Sequence, residues 1–329
     1  MRRLKILIWH IHGSYLNTLS RIDHDWYLPV KPGRPEGYGG RGWTFDLPDY
    51  VKEVPAEQVR DLDLDLVIYQ TPKNLIDDRE EILSFEQRHL PAIYLEHNTP
   101  KPDAVNAQHP ANDPNMLLVH VTHYNRLMWD NRRTTTRVIE HSVAISPGAR
   151  YRGMLDRGVT VINGMQARPR IAGYDLFCDV RRRVELDAVG MQTEELGGLG
   201  DVPYRDLHSV MANYRFLFSP IRYTSLPLVV VEAMTIGMPV VALATTELPT
   251  VIESGVSGYV SCNVDELVER MHGLLADPDE ARRIGANARE VALERFGLER
   301  FINDWNAAFA AVLDTSAAAQ SRHKMEVGL

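Results

Sequence analysis

The residues with the clearest capacity for chemistry lie between Phe216 and Val241. An apolar run from Phe216 to Ile221 is short enough for a buried strand, and a Ser/Pro-punctuated loop follows it. Pro227 to Ile236 then suits a short helix. Gly237 can end that helix at C′ and Pro239 prevents its continuation, so Val240–Leu243 reads as the next strand. Strand, loop, helix and strand in this order build a parallel sheet, whose ligands bind at the carboxyl ends of the strands. Backbone N–H groups around Ser225, Leu226 and Leu228 would face an anion there, with the helix dipole adding to the attraction. Glu232, about one and a half turns into the helix, would meet polar groups attached to a phosphate held at the tip.

Two other clusters invite chemistry and are read differently. Gly37-Tyr38-Gly39-Gly40-Arg41-Gly42 has the composition of a phosphate cradle, but it follows Lys31-Pro32-Gly33-Arg34-Pro35 rather than a strand. A mobile loop is expected. Asp61, Asp63 and Asp65 alternate with leucines just before a strand, which predicts a solvated approach to that strand rather than a metal site.

The elements that must position these groups alternate strand and helix along the chain. Leu4–Ile11, Leu64–Tyr69, Ala92–Leu95, Met116–Thr122 and Thr136–Ile139 read as strands of a first domain. No Gly-x-Gly-x-x-Gly follows the first of them, against a dinucleotide-dependent dehydrogenase. Val159–Asn163 and Val184–Val189 open a second domain, and Val264–Leu275 and Glu280–Glu294 read as amphipathic helices. Phe301, Trp305, Phe309 and Val312 share one face of a final helix. At 329 residues the chain has room for two cores.

With 44% apolar and 24% charged residues and a mean hydropathy of -0.24, composition is that of a soluble globular protein. A net charge of -8 argues against a dedicated nucleic-acid binder. The two cysteines, Cys178 and Cys262, have no metal-site spacing and suit a reducing compartment. Met1-Arg2-Arg3-Leu4 leads into too short an apolar stretch for a signal peptide, so a cytoplasmic protein is expected. Arg132, Arg133 and Arg137 form either a solvated face or a surface for an anionic acceptor or the periphery of a membrane.

The central stretch resembles the donor-binding motif of retaining glycosyltransferases of the GT-B fold, closest to the large family 4 group. Glu232-Ala233-Met234, Gly237, Pro239 and Val240-Val241 carry the resemblance, and Glu247 to Val260 matches the family phrase behind the donor site. The likeness covers Gly164 to Arg300 well, and the first domain only by strand order and scattered residues. It implies an α/β chain of two Rossmann-like domains facing across a cleft. Residues 1–146 would form the acceptor side, joined by a returning helix at about 303–316. Residues 147–302 would form the donor domain and 317–329 a flexible tail.

The activity implied is transfer of a sugar from a nucleotide diphosphate-sugar to an acceptor, with retention and without metal or cofactor. The acceptor, whether saccharide, lipid-linked or small molecule, is not specified. The resemblance places Glu232 on the donor's ribose, Arg168 and Arg170 on its diphosphate, and Gly13 in the loop after the first strand. It also places His97 near the donor sugar. The alternative for Arg168 and Arg170 is surface arginines in a loop; Gly13 reads equally as a tight turn and His97 as a structural hydrogen-bonding residue. Tyr204 is a candidate to stack on the base. One position departs from the family: where a first glutamate is usual, eight residues before Glu232, this chain has Thr224. A nucleotide-sugar epimerase of related fold and a catalytically degenerate donor-binding protein are the rival readings.

Overall fold

The computed structural model describes residues 2–327, with side chains through 315. The chain divides into two compact units, Met1–His141 with Leu298–Leu329, and Ser142–Gly297. The boundaries expected at 146 and 302 therefore move five residues toward the N-terminus (146 − 141 = 5 and 302 − 297 = 5).

In unit 1 the chain runs β1 (Lys5–Ile8), α1 (Gly13–Leu19), β2 (Asp25–Val30), β3 (Val51–Pro55) and β4 (Leu66–Tyr69). A π-helical turn at Asn74–Asp78 leads into α2 (Arg79–Ile82), followed by β5 (Ala92–Glu96), β6 (Leu117–His120), α3 (His123–Met128) and β7 (Thr135–Val138). Among the described residues these strands form one parallel seven-stranded sheet, in the order β3-β2-β1-β4-β5-β6-β7. The central strands are apolar over most of their length, as in residues 6–8, Leu66–Tyr69 and residues 117–119, because both their faces are covered. β2 and β3 were not legible in the sequence: Asp25, Pro29, Lys52 and Glu53 interrupt any apolar periodicity.

Unit 2 contains β8 (Leu155–Val161), α4 (Pro169–Ala172), α5 (Tyr174–Val180), β9 (Leu186–Val189), α6 (Tyr204–Met211) and β10 (Tyr214–Ser219). It continues with α7 (Leu228–Ile236), β11 (Val240–Leu243), α8 (Leu248–Val251), β12 (Tyr259–Ser261), α9 (Val264–Ala276) and α10 (Pro278–Arg295). Its five described strands are also parallel, in the order β12-β11-β10-β8-β9. The central helix α7 is apolar nearly all round, as a helix enclosed on every side must be. Gly237 ends it in the left-handed region at φ 87°, and its N–H bonds the Met234 carbonyl.

The last helix, α11 (Leu298–Val327), begins before the expected 303 and continues through the segment expected to be a flexible tail. Gly328 and Leu329 lie outside the described residues. Phe301, Trp305, Phe309 and Val312 enter the core of unit 1 beside Leu4, Tyr15 and Trp26, and the Trp305 indole N–H donates to the Tyr15 hydroxyl over 3.2 Å. The returning helix is thus part of the first core. No helix among the described residues is long and apolar enough to cross a membrane.

Candidate functional site

In unit 2 the carboxyl ends of the adjacent strands β8 and β10 deliver two loops that pack against each other. Gly173 has φ 78°, and a Cβ there would stand 2.0 Å from the Pro220 carbonyl oxygen. Only glycine admits this approach. The Arg222 N–H donates to the Ile171 carbonyl over 2.9 Å, while Thr245 and Thr246, beyond the end of β11, donate to the carbonyls of Ile221 and Ser225. The loop carrying Thr224, Ser225 and Leu226 is therefore held from both neighbouring strand ends. Ser225 and Leu226 are buried, and α7 starts at Leu228 with Pro227 at its N-cap and no side-chain cap. The Val230 N–H donates to the Pro227 carbonyl over 3.0 Å, so in that first turn the Leu228 and Val229 amides keep the capacity that a capping side chain would otherwise take up.

Glu232 is 3% exposed on α7. The Tyr204 hydroxyl lies 2.9 Å from its Oε1 and 3.1 Å from the Ala144 carbonyl, and its single proton goes to the charged acceptor. Tyr204 is thus a partner of Glu232. On the other side of the carboxylate, His208 Nδ1 accepts the Ser146 N–H over 3.1 Å. A neutral imidazole then carries its proton on Nε2, which faces Glu232 Oε2 at 3.8 Å. A carboxylate offers about four lone-pair sites, so these contacts leave capacity for further hydroxyl donors.

The two loop arginines separate. Arg170 is ion-paired to Asp175 at 2.5 Å, and the same carboxylate receives both Nη atoms of Arg222, at 2.6 and 3.0 Å. Arg222, more than Arg170, holds the Asp175 carboxyl down at about 2. Arg168 donates to the Asn163 carbonyl over 3.0 Å, and no carboxylate among the described residues pairs with it. Sequence reasoning missed Asp175 and the bidentate role of Arg222, since an ordinary Asp in a helix carries no signal until Arg222 arrives from another loop.

His97 belongs to unit 1, just past the end of β5, and is 9% exposed. Gln70 just past β4 fixes its proton. The Gln70 amide nitrogen donates to the Trp9 carbonyl over 2.6 Å, which turns its oxygen to His97 Nε2 at 3.1 Å. Nε2 therefore carries the hydrogen. The His12 ring lies 4.1 Å away and the Tyr15 ring meets His97 edge-on at 4.7 Å. Burial, with smaller contributions from His12 and His141, holds the His97 pKa well below its usual value. Burial alone holds His12 near 4. Gln70 could have been found by the criterion that selected His97, since both directly follow a strand.

Gly13 opens α1 with an ordinary φ, so a tight turn is not what requires it. A Cβ there would come within 2.6 Å of the Phe45 ring and 3.1 Å of His10 Nε2. Asp63 and Asp65 pair with Lys5 and Arg2, and no group of three His, Cys, Asp or Glu among the described residues can hold a metal. The glycine-rich segment 37–42 departs from the mobile loop expected of it. Tyr38 is buried, Gly37 pairs with His10, and His10 Nδ1–H donates to the Gly40 carbonyl over 2.6 Å.

Two solved structures decide the fold class. HepE from Anabaena, in complex with UDP and glucose, matches with a TM-score of 0.71 at 18% identity, over 94% of this chain and 100% of that one. Sucrose-phosphate synthase from Thermosynechococcus elongatus matches with a TM-score of 0.68 at 13% identity, over 95% and 100%. The fold is GT-B. Within it, residues 192–291, which carry Tyr204, Thr224, α7 and Glu232, match the family described as Glycosyl transferases group 1. Over 110 residues the chain is 34% identical to D-inositol 3-phosphate glycosyltransferase of Streptomyces bingchenggensis, which is 33% of this chain and 22% of that protein. Over 92 residues it is 32% identical to N-acetyl-alpha-D-glucosaminyl L-malate synthase of Bacillus anthracis, 27% and 24% of the two lengths. The matched region spans under a quarter of either relative, 22% and 24%.

Proposed function

We propose that this chain is a retaining glycosyltransferase that moves a sugar from a nucleoside diphosphate donor to an acceptor without an essential metal. The observation that carries the reading is the β10–α7 unit: an uncapped helix start, a pinned loop at a strand end and a buried, tyrosine-held Glu232. It lies inside the region that matches the transferase family. The first-turn amides and Arg168 receive the diphosphate, and the negative charge that grows on it as the glycosidic bond breaks is met by dipoles already in place. Glu232 accepts hydrogen bonds from the ribose hydroxyls. His97, neutral and with Nε2–H committed to Gln70, serves the donor sugar by position rather than as a proton carrier. Thr224 takes the place beside that sugar where a glutamate is usual in the family, and offers a hydroxyl without the charge.

Because HepE binds UDP and UDP-glucose, uridine diphosphate is the first probe. Thermal shifts with uridine, guanosine, adenosine and thymidine diphosphates and their sugars should select one base. Acceptor-dependent release of nucleotide from the chosen sugar then establishes transfer. Isomerisation without an acceptor would establish the epimerase instead, and binding without turnover the degenerate donor-binding protein that Thr224 suggests. A donor-bound crystal structure with the sugar far from Thr224 would remove that residue from the site.

A further inference from the structure

Unit 1 contains a depression of about 430 Å³ that the proposed chemistry does not use. Trp43 stands at its edge and is 93% exposed, whereas Trp9, Trp26 and Trp305 are fully buried. A soluble protein rarely leaves so large an aromatic surface to water without a partner for it. Nor is the loop that carries it loose. Arg41 donates to the carbonyls of Leu47, Pro48 and Val51, and its own N–H donates to Glu53 Oε1 over 2.8 Å. Arg34 grips the same carboxylate with two bonds of 2.9 and 3.0 Å and also donates to the Gly39 carbonyl. The backbone that carries Trp43 is thus held in place, which lowers the entropy lost when something lands on that loop.

The lining states the chemistry of that ligand. Gly33, Gly37, Gly39 and Gly42 line it without side chains, and a Cβ at Gly33 or Gly39 would meet nothing within 4 Å. Arg34 is the one Lys or Arg in the described lining, and its charge is already matched by Glu53, while Glu36 adds a carboxylate. No uncompensated positive charge waits here for a phosphate or a carboxylate. An aromatic face beside a carboxylate, in a lining without free positive charge, suits a neutral ring with an apolar C–H face and a rim of hydroxyls. We infer that the Trp43 depression is a saccharide-binding site and that the acceptor of the transfer is a saccharide. The binding stands on unit 1 alone, while its acceptor role rests on the transferase reading.

A glycan array probed with the full chain tests this, with Trp43→Ala and Trp43→Phe beside it. The expected result is binding to a defined set of glycans, weakened about tenfold or more in the alanine variant and largely kept by phenylalanine. The bound glycan should also shield a tryptophan from acrylamide quenching in the wild type but not in Trp43→Ala. The UDP-induced thermal shift should be the same in all three proteins. An array without bound glycans, or a Trp43→Ala protein that binds them as tightly as wild type, overturns the site. Glycan binding without any nucleotide shift would leave the site standing and defeat the transferase reading instead.

Discussion

Glu232 illustrates how one side chain's surroundings decide what it can do. A carboxylate buried at 3% exposure with the Tyr204 hydroxyl on one oxygen has a fixed orientation and spare acceptor capacity. Hydrogen bonds to a charged group are worth ~1.5–3 kcal/mol, so Glu232→Ala should weaken nucleoside diphosphate binding roughly tenfold or more in calorimetry. A folded variant with unchanged affinity would reduce Glu232 to an anchor for Tyr204. The two arginines should differ as well. Arg168→Ala should weaken binding of nucleoside diphosphate much more than of the free nucleoside. Arg170→Ala should act mainly on stability, since its guanidinium is committed to Asp175. Equal losses for both ligands in Arg168→Ala would make that loop a bystander. His97→Ala should lower turnover while leaving nucleoside diphosphate affinity nearly intact, and undiminished turnover would strike it from the site.

Among the elements, α7 and α10 depend on a contact that allows no side chain. A Cβ on Gly285 of α10 would stand 2.0 Å from the Gly237 carbonyl oxygen, inside any tolerable contact. Glycine within a helix ordinarily costs about 1 kcal/mol relative to alanine, so Gly285→Ala would stabilise a helix free of neighbours. Here the expectation reverses: the helices must separate, and the variant should lower the urea midpoint by far-UV circular dichroism. It should also loosen α7, and with it nucleotide binding. An unchanged or higher midpoint would show that the two helices can part without loss. This device was not visible beforehand, because Gly285 reads only as a weak point in an amphipathic pattern. The bounds of β11 and nearly all of α7 were visible, because Gly237 and Pro239 punctuate the chain by local sterics.

At the scale of the whole molecule, the histidines held below their usual range among the described residues belong to unit 1. Burial keeps His12 and His120 near 4, and lowers His24 and His97 too. An unfolded chain protonates these rings below about pH 6.5, so it binds more protons than the folded unit, and stability falls from there down to about 4. In unit 2 the depressed Asp175 acts lower: its contribution is present above the unfolded carboxyl pKa of 3.8 and is lost as pH falls toward about 2. Unit 1 should therefore weaken first on acidification. All 5 tryptophans lie in unit 1, so their fluorescence reports it alone. Between pH 7.5 and 5 the urea midpoint by tryptophan emission should fall more than that by circular dichroism, and coincident midpoints at both pH values would refute this. The sequence by itself determined the parallel α/β class, the β10–α7–β11 unit and the position of Glu232, because periodicity and Gly/Pro punctuation act within a few residues. Only the tertiary structure decided that Tyr204 holds Glu232, that Gln70 sets the His97 proton, that Asp175 claims Arg170 and that the glycine-rich loop is pinned beneath an exposed Trp43. Those pairings join residues up to dozens of positions apart, and their energies exist only once the strands have brought them within bonding distance.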